Sequence, residues 1–219
     1  FEDLKPSADG YNLQINRYEG TIYMVANAGN MIDLQQMKEE GISEEEWKKT
    51  TMAMSNGKVV NFFTGSLVID GQNQPSQSLT LKRGVARFDL NVDVAGSAAI
   101  ESLTLRNVAQ SGYLFAQGEV AASPADVERN DVTAHFDTAL SASTPGVLYV
   151  YEQENTGIEV SIEAVIDGQH KVLTKTLEGN LKRNTIYTVT VRKNAIDIVV
   201  KVDIDDWEPG EDTEIIPQL

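Results

Sequence analysis

Strict two-residue alternation runs through the second half of the chain and limits what that half can fold into. Ile196, Ile198, Val200, Val202 and Ile204 share one parity, while Asp197, Val199, Lys201 and Asp203 take the other. Side chains alternate across a strand, so such a run buries one face and wets the other. Ile158, Val160, Ile162, Ala164 and Ile166 repeat the pattern, with Glu159, Ser161 and Glu163 facing out. Asp167-Gly168 supplies a turn, and Lys171–Leu177 is expected to be the returning arm of a hairpin. Thr185–Val191 is rich in β-branched and aromatic residues and stops at Arg192-Lys193-Asn194. Four such runs at short spacing imply an antiparallel sandwich.

Earlier strands are expected at Thr21–Ala26, Val59–Phe63, Ser66–Asp70, Ser78–Leu81, Val85–Val94, Ile100–Asn107, Thr133–Leu140 and Gly146–Tyr151. Ala86, Phe88, Leu90, Val92 and Val94 share a parity that Leu79 and Leu81 do not. The change of phase at Gly84 predicts a bulge or bend. One stretch breaks the β pattern. Ser43-Glu-Glu-Glu46 is a capping box with acids in the first turn, and a helical turn over Asp33–Glu40 ends at Gly41. Met31–Met54 is therefore read as a helical insertion whose Leu34, Met37 and Trp47 pack down on the rest of the first half.

Composition decides which partners are excluded. Thirty-three acids against 18 bases give a net charge of −15, which repels phosphate backbones and anionic headgroups. Nucleic acid and membrane surfaces are excluded as partners on that ground. There is no cysteine, so disulfides and Cys-based zinc sites are out. No apolar run is long enough to span a bilayer as a helix. The chain starts at Phe1 without an apolar leader, and it is expected to be a processed or trimmed form.

The sequence offers little for catalysis. His170 lies in the turn DGQH and His135 in the strand THFDT, neither with a triad or metal partner pattern. No nucleophile elbow, zinc-protease, phosphate-loop or dinucleotide motif occurs. No enzyme activity, catalytic residue, cofactor or metal ligand is expected. The acidic stretch Asp203–Glu214 has its Gly at position eight rather than six, so it is not an EF-hand loop. It reads as a solvated acidic exit from the last strand, with a looser calcium site as the alternative. Trp207 is expected to plug the end of the sandwich. Lys82-Arg83 and Lys182-Arg183 are read as solvated charges guarding strand ends.

Several segments, in order, resemble the fimbrillin family, the type V pilins of Gram-negative gut and oral anaerobes. FFTGSL and then LTLKRGVARFDLNV resemble the family's mid-chain strand with its Leu-Lys-Arg-x-x-Ala core. IESLTLRNVAQSGYLF, LYVYEQEN, and LKRNTIYTVTV followed by VVKVDIDDWEPG resemble three further family segments. Together they span about residues 62–210.

The resemblance implies an all-β fold of two tandem transthyretin-like antiparallel β-sandwich domains, at 1–88 and 89–219, with the helical insertion at about 31–54 in the first. It implies a lipoprotein precursor carried to the outer membrane on an acylated Cys, then trimmed at its N-terminus by an Arg-specific protease that removes the first strand. The protein would then be a subunit of a cell-surface fimbrium, with other pilin subunits as partners. A groove left by a missing strand can be filled by a strand from a neighbour. The family donates its C-terminal extension, here 213–219, which would present Ile215, Ile216, Pro217 and Leu219. A second reading is a non-polymerising surface module that binds a glycan or host protein, with Trp47 and the tyrosines as its only candidate contacts.

Overall fold

The computed structural model describes residues 19–28, 31–71 and 79–201. The first half holds β1 (Glu19–Ala26), α1 (Leu34–Glu40), α2 (Glu44–Lys48), β2 (Thr51–Ala53), β3 (Phe63–Asp70) and β4 (Lys82–Arg83). Then come β5 (Val85–Val92), β6 (Ala98–Ala109), β7 (Ser111–Tyr113), β8 (Arg129–Leu140) and β9 (Thr144–Tyr151). The chain ends on β10 (Glu159–Ile166), β11 (Gln169–Thr176), β12 (Thr185–Val191) and β13 (Ile196–Lys201).

Two four-stranded sheets, ordered β11-β10-β6-β8 and β13-β12-β5-β9, face each other as a sandwich. The period-two runs explain this directly. Val160, Ile162, Ala164 and Ile166 of β10 are all buried, and the turn residues Asp167 and Gly168 both take positive φ as a tight hairpin requires. At the centre Phe88 of β5 stacks on Tyr187 of β12 with ring centroids 5.1 Å apart. One pairing departs from the antiparallel expectation: β12 runs parallel to β5, Thr185 opposite Ala86 through Val191 opposite Val92. The two strands are far apart in sequence, so their relative direction had no local signal.

A second core lies beside the sandwich. Met52, Phe62, Val85, Leu114, Phe115 and Tyr151 are buried together there. Around it are the three-stranded sheet β1-β3-β4 and the two-stranded β2-β7. The division expected at Phe88 falls inside β5, whose first residue Val85 packs in this second core while Ala86 and Phe88 pack in the sandwich. The bend predicted at Gly84 is where the chain passes from one to the other. Its N–H donates to the Phe62 carbonyl at 3.0 Å, and a Cβ there would sit 2.0 Å from the Phe62 ring.

The helical insertion is close to its expected form. Asp33 caps α1, Gly41 closes it at φ 66°, and Ser43 and Glu46 form the reciprocal capping box of α2. Three expectations fail locally. Leu34 is 39% exposed rather than packed down. Met52 lies in β2, which pairs with β7, so the segment read as helical insertion ends in a strand. Only Phe63 of Val59–Phe63 is in a strand; Val59 and Val60 reach the core from an irregular turn held by the Val60 N–H donating to the Tyr151 hydroxyl at 3.0 Å.

Charges tie together the turns at the far end of the sandwich. Asp167 accepts from Lys193 at 2.6 Å and from the Ser97 N–H at 3.1 Å. Asp197 of β13 pairs with Lys175 of β11 across the open side between the sheets, and with Arg192, at 3.2 and 3.1 Å. The Lys193 bond and then the Ser97 amide hold the Asp167 carboxyl below its ordinary range, and Lys175 does the same to Asp197. A depressed carboxylate stabilises the fold above its unfolded pKa, and that contribution is lost as pH falls through the folded value. Thermal stability is therefore expected to hold down to about pH 4, the ordinary carboxylate value, and to drop below it. Asp167→Asn/Asp197→Asn should flatten the acid limb of a melting-temperature profile; an unchanged limb would assign the acid loss elsewhere. Both groups are exposed, so the effect should be small and screened by salt.

Candidate functional site

Among the described residues the first-half sheet has one strand edge without a partner. Among the described residues β1 pairs only with β3, Glu19 opposite Asp70 through Ala26 opposite Phe63, and its other edge has no strand against it. An antiparallel strand directs alternate N–H and C=O groups to each side, so half of those on β1 face away from β3.

Both faces of the β1-β3 ribbon are apolar and neither is fully covered. On one face Ile22, Met24, Leu67 and Ile69 are only half-buried, with Leu79 and Leu81 lying over Gly65. On the other, Tyr23 and Val25 pack against the core beneath the helices, but Val68 is 68% exposed. Between β1 and the two helices runs an open groove of about 540 Å³. Tyr23, Leu34, Met37, Ile42 and Trp47 supply its apolar lining, with Glu44 and Lys38 at its margin. The Tyr23 hydroxyl donates to Glu44 and Lys48 lies over the Tyr23 ring, which ties α2 to β1.

The remaining candidates fall elsewhere. Trp47 tilts against Phe115 at 5.3 Å between ring centroids, and Phe115 in turn meets Tyr23 edge-on. Trp47 is thus part of the core packing under α2 rather than a flat platform. His135 is exposed on β8, and His170, expected in the turn, is instead the second residue of β11, opposite Val165, and is exposed with Glu101 at 3.8 Å. Among the described residues no group of three His, Cys, Asp or Glu side chains is placed to hold a metal ion. The acidic stretch Asp203–Glu214, Trp207 and the donor-strand candidates Ile215, Ile216, Pro217 and Leu219 lie outside the described residues.

Arg183 corrects the reading of it as a solvated guard. Its side chain is 10% exposed and pairs with Glu152, itself 11% exposed, at 2.6 Å. Arg83 is likewise half-buried, with its guanidinium 4.5 Å from the centre of the Phe63 ring.

Comparison with known proteins bears on the fold. A family model for a bacterial Ig-like domain matches residues 118–204. No curated protein matches the sequence. Among solved structures, a candidate cell adhesion protein from Bacteroides eggerthii superposes with a TM-score of 0.56 at 12% identity, covering 83% of this chain and 76% of that one. The tip fimbrial protein Mfa3 from Porphyromonas gingivalis, solved with a C-terminal truncation, superposes with a TM-score of 0.54 at 14% identity, covering 83% and 78%. At these identities the likeness is one of fold. It agrees with the resemblance carried by the sequence segments, and the all-β sandwich architecture is common to them.

Proposed function

We propose that the chain is a structural or adhesive subunit of a bacterial cell-surface fimbrium, assembled by adding a strand from one subunit to the unfinished sheet of the next. The observation that carries this reading is β1, which has a strand partner on one side only among the described residues and apolar faces left half-buried. An incoming strand would satisfy the free backbone groups and bury alternate side chains beside Ile22 and Met24 of β1. Three buried apolar residues at about 1.5–3 kcal/mol each contribute roughly 5–9 kcal/mol before ordering costs. The contact is head-to-tail, so it propagates rather than closes. The fold shared with a tip fimbrial protein supports the same class.

The donor is residues 213–219, whose Ile215, Pro217 and Leu219 share a parity. Pro217 cannot donate a ladder bond, which sets the side on which this segment pairs. Other fimbrial subunits are the partners, and a lipidated precursor carries the subunit to the outer membrane before it is trimmed. The subunit works by binding, without catalysis. Deleting Ile215–Leu219 is expected to abolish polymerisation while leaving the monomer's melting curve unchanged. Fibres of ordinary length from the truncated protein in electron micrographs would refute the donor. Ile22→Lys should block the accepting side in the same assay.

A further inference from the structure

We propose that Arg183 and Glu152 form a latch that makes the two cores open together. The base of the latch belongs to the sandwich. Arg183 precedes β12, Leu181 is buried in the sandwich core, and Leu181 and Gln153 exchange backbone hydrogen bonds at 2.9 and 3.0 Å. Asn184 takes φ 52°, a conformation asparagine tolerates better than most residues, and its N–H donates to the Val85 carbonyl at 2.9 Å.

From that fixed base the guanidinium reaches into the other core. Nη2 donates to the Tyr113 carbonyl at 2.9 Å and Nη1 to the Leu114 carbonyl at 3.0 Å, with Thr64 Oγ1 at 3.5 Å. Tyr113 belongs to β7, Leu114 to the smaller core and Thr64 to β3. Nε donates to Glu152 at 2.6 Å, which neutralises the charge where water cannot. No other residue type presents this planar fork; a lysine carries the charge but cannot address two carbonyls and a carboxylate in one plane. Pulling the smaller core away would take the guanidinium off the Tyr113 and Leu114 carbonyls, leaving Leu114 only its 3.4 Å bond from Thr64 Oγ1, and would strand a buried ion pair at once. Separation is therefore costly unless the sandwich opens too.

This inference does not rest on strand addition or on any ligand. The test is hydrogen exchange, read peptide by peptide on the full chain, for Arg183→Met, Arg183→Lys and Glu152→Gln. Amides of β2 and β3 in Arg183→Met should exchange on the order of a hundredfold faster, the scale of a broken buried pair, while those of β10 and β12 keep their protection. Arg183→Lys and Glu152→Gln should fall between it and the native chain, and they carry the test if Arg183→Met does not fold. Equal acceleration in both cores would make Arg183 an ordinary stabiliser of the sandwich and overturn the latch, and so would no acceleration at all.

Discussion

Gly84→Ala is expected to destabilise the protein by about 3 kcal/mol, the upper part of the usual range for overpacking. For a chain of this size that is a fall of roughly 6–12 °C in melting temperature. The added methyl would lie 2.0 Å from both Cε2 and Cζ of Phe62. Phe62 has no room to retreat, being fully buried between Tyr151, at 6.1 Å between ring centroids, and the rest of the smaller core. Moving Gly84 instead would break its hydrogen bond to the Phe62 carbonyl and shift β5, which begins at the next residue. A companion variant separates the clash from any effect of alanine itself. In a Phe62→Leu background the same Gly84→Ala change should cost markedly less, because the two sites are in contact and non-additive. A cost below about 0.5 kcal/mol in the native background, as for an ordinary surface change, would mean the junction is looser than its geometry.

What the sequence made legible follows from where periodicity is strong. The strands β10, β11 and the start of β13 were readable because in each one face is more buried than the other. β12, buried on both faces, was readable from its β-branched and aromatic run, and Asp167-Gly168 is turn chemistry that leaves little choice. The caps of α1 and α2 were readable because Asp33, Gly41, Ser43 and Glu46 act within a few residues of themselves. β2 and β7 were missed because three residues are too few to show a period, and their pairing joins segments about sixty positions apart. The irregular turn at Val59–Phe62 was misread because apolar residues that fill a core from a turn have the same composition as a buried strand.

Arg183 is the more instructive case. A charge beside a strand is usually solvated, and its side chain's partners, Glu152, Tyr113, Leu114 and Thr64, are distant in sequence, so nothing local marked it. The one trace was that the segments LYVYEQEN and LKRNTIYTVTV each resemble the family. Glu152 comes from the first and Arg183 from the second. The edge of β1 that has no partner among the described residues was equally invisible in its own sequence, since a strand's pattern records which faces are buried and not which edges are paired.

Phe88→Ala should be the most damaging change in the sandwich itself, at about 3–5 kcal/mol. Phe88 is fully buried at the middle of β5, stacked on Tyr187 and flanked by Leu90 and Val189, so the surroundings are held by both sheets and cannot collapse into the space. Against a total stability of order 5–15 kcal/mol, that loss leaves little margin at 37 °C. Tyr187→Phe keeps the ring but removes a hydroxyl that donates to the Asn180 carbonyl at 3.1 Å and accepts from the Lys182 N–H at 2.9 Å. It should cost about 1–3 kcal/mol through the two backbone groups left unpaired. Urea denaturation distinguishes the two mechanisms from a loss of fold: the midpoint should fall in each variant while the slope is retained. Combining them should cost less than the sum, because once Phe88 is gone the Tyr187 ring can shift and its hydroxyl no longer holds the Asn180–Lys182 turn as firmly. A Phe88→Ala protein with a native midpoint would show that the two rings do not form the centre of this core.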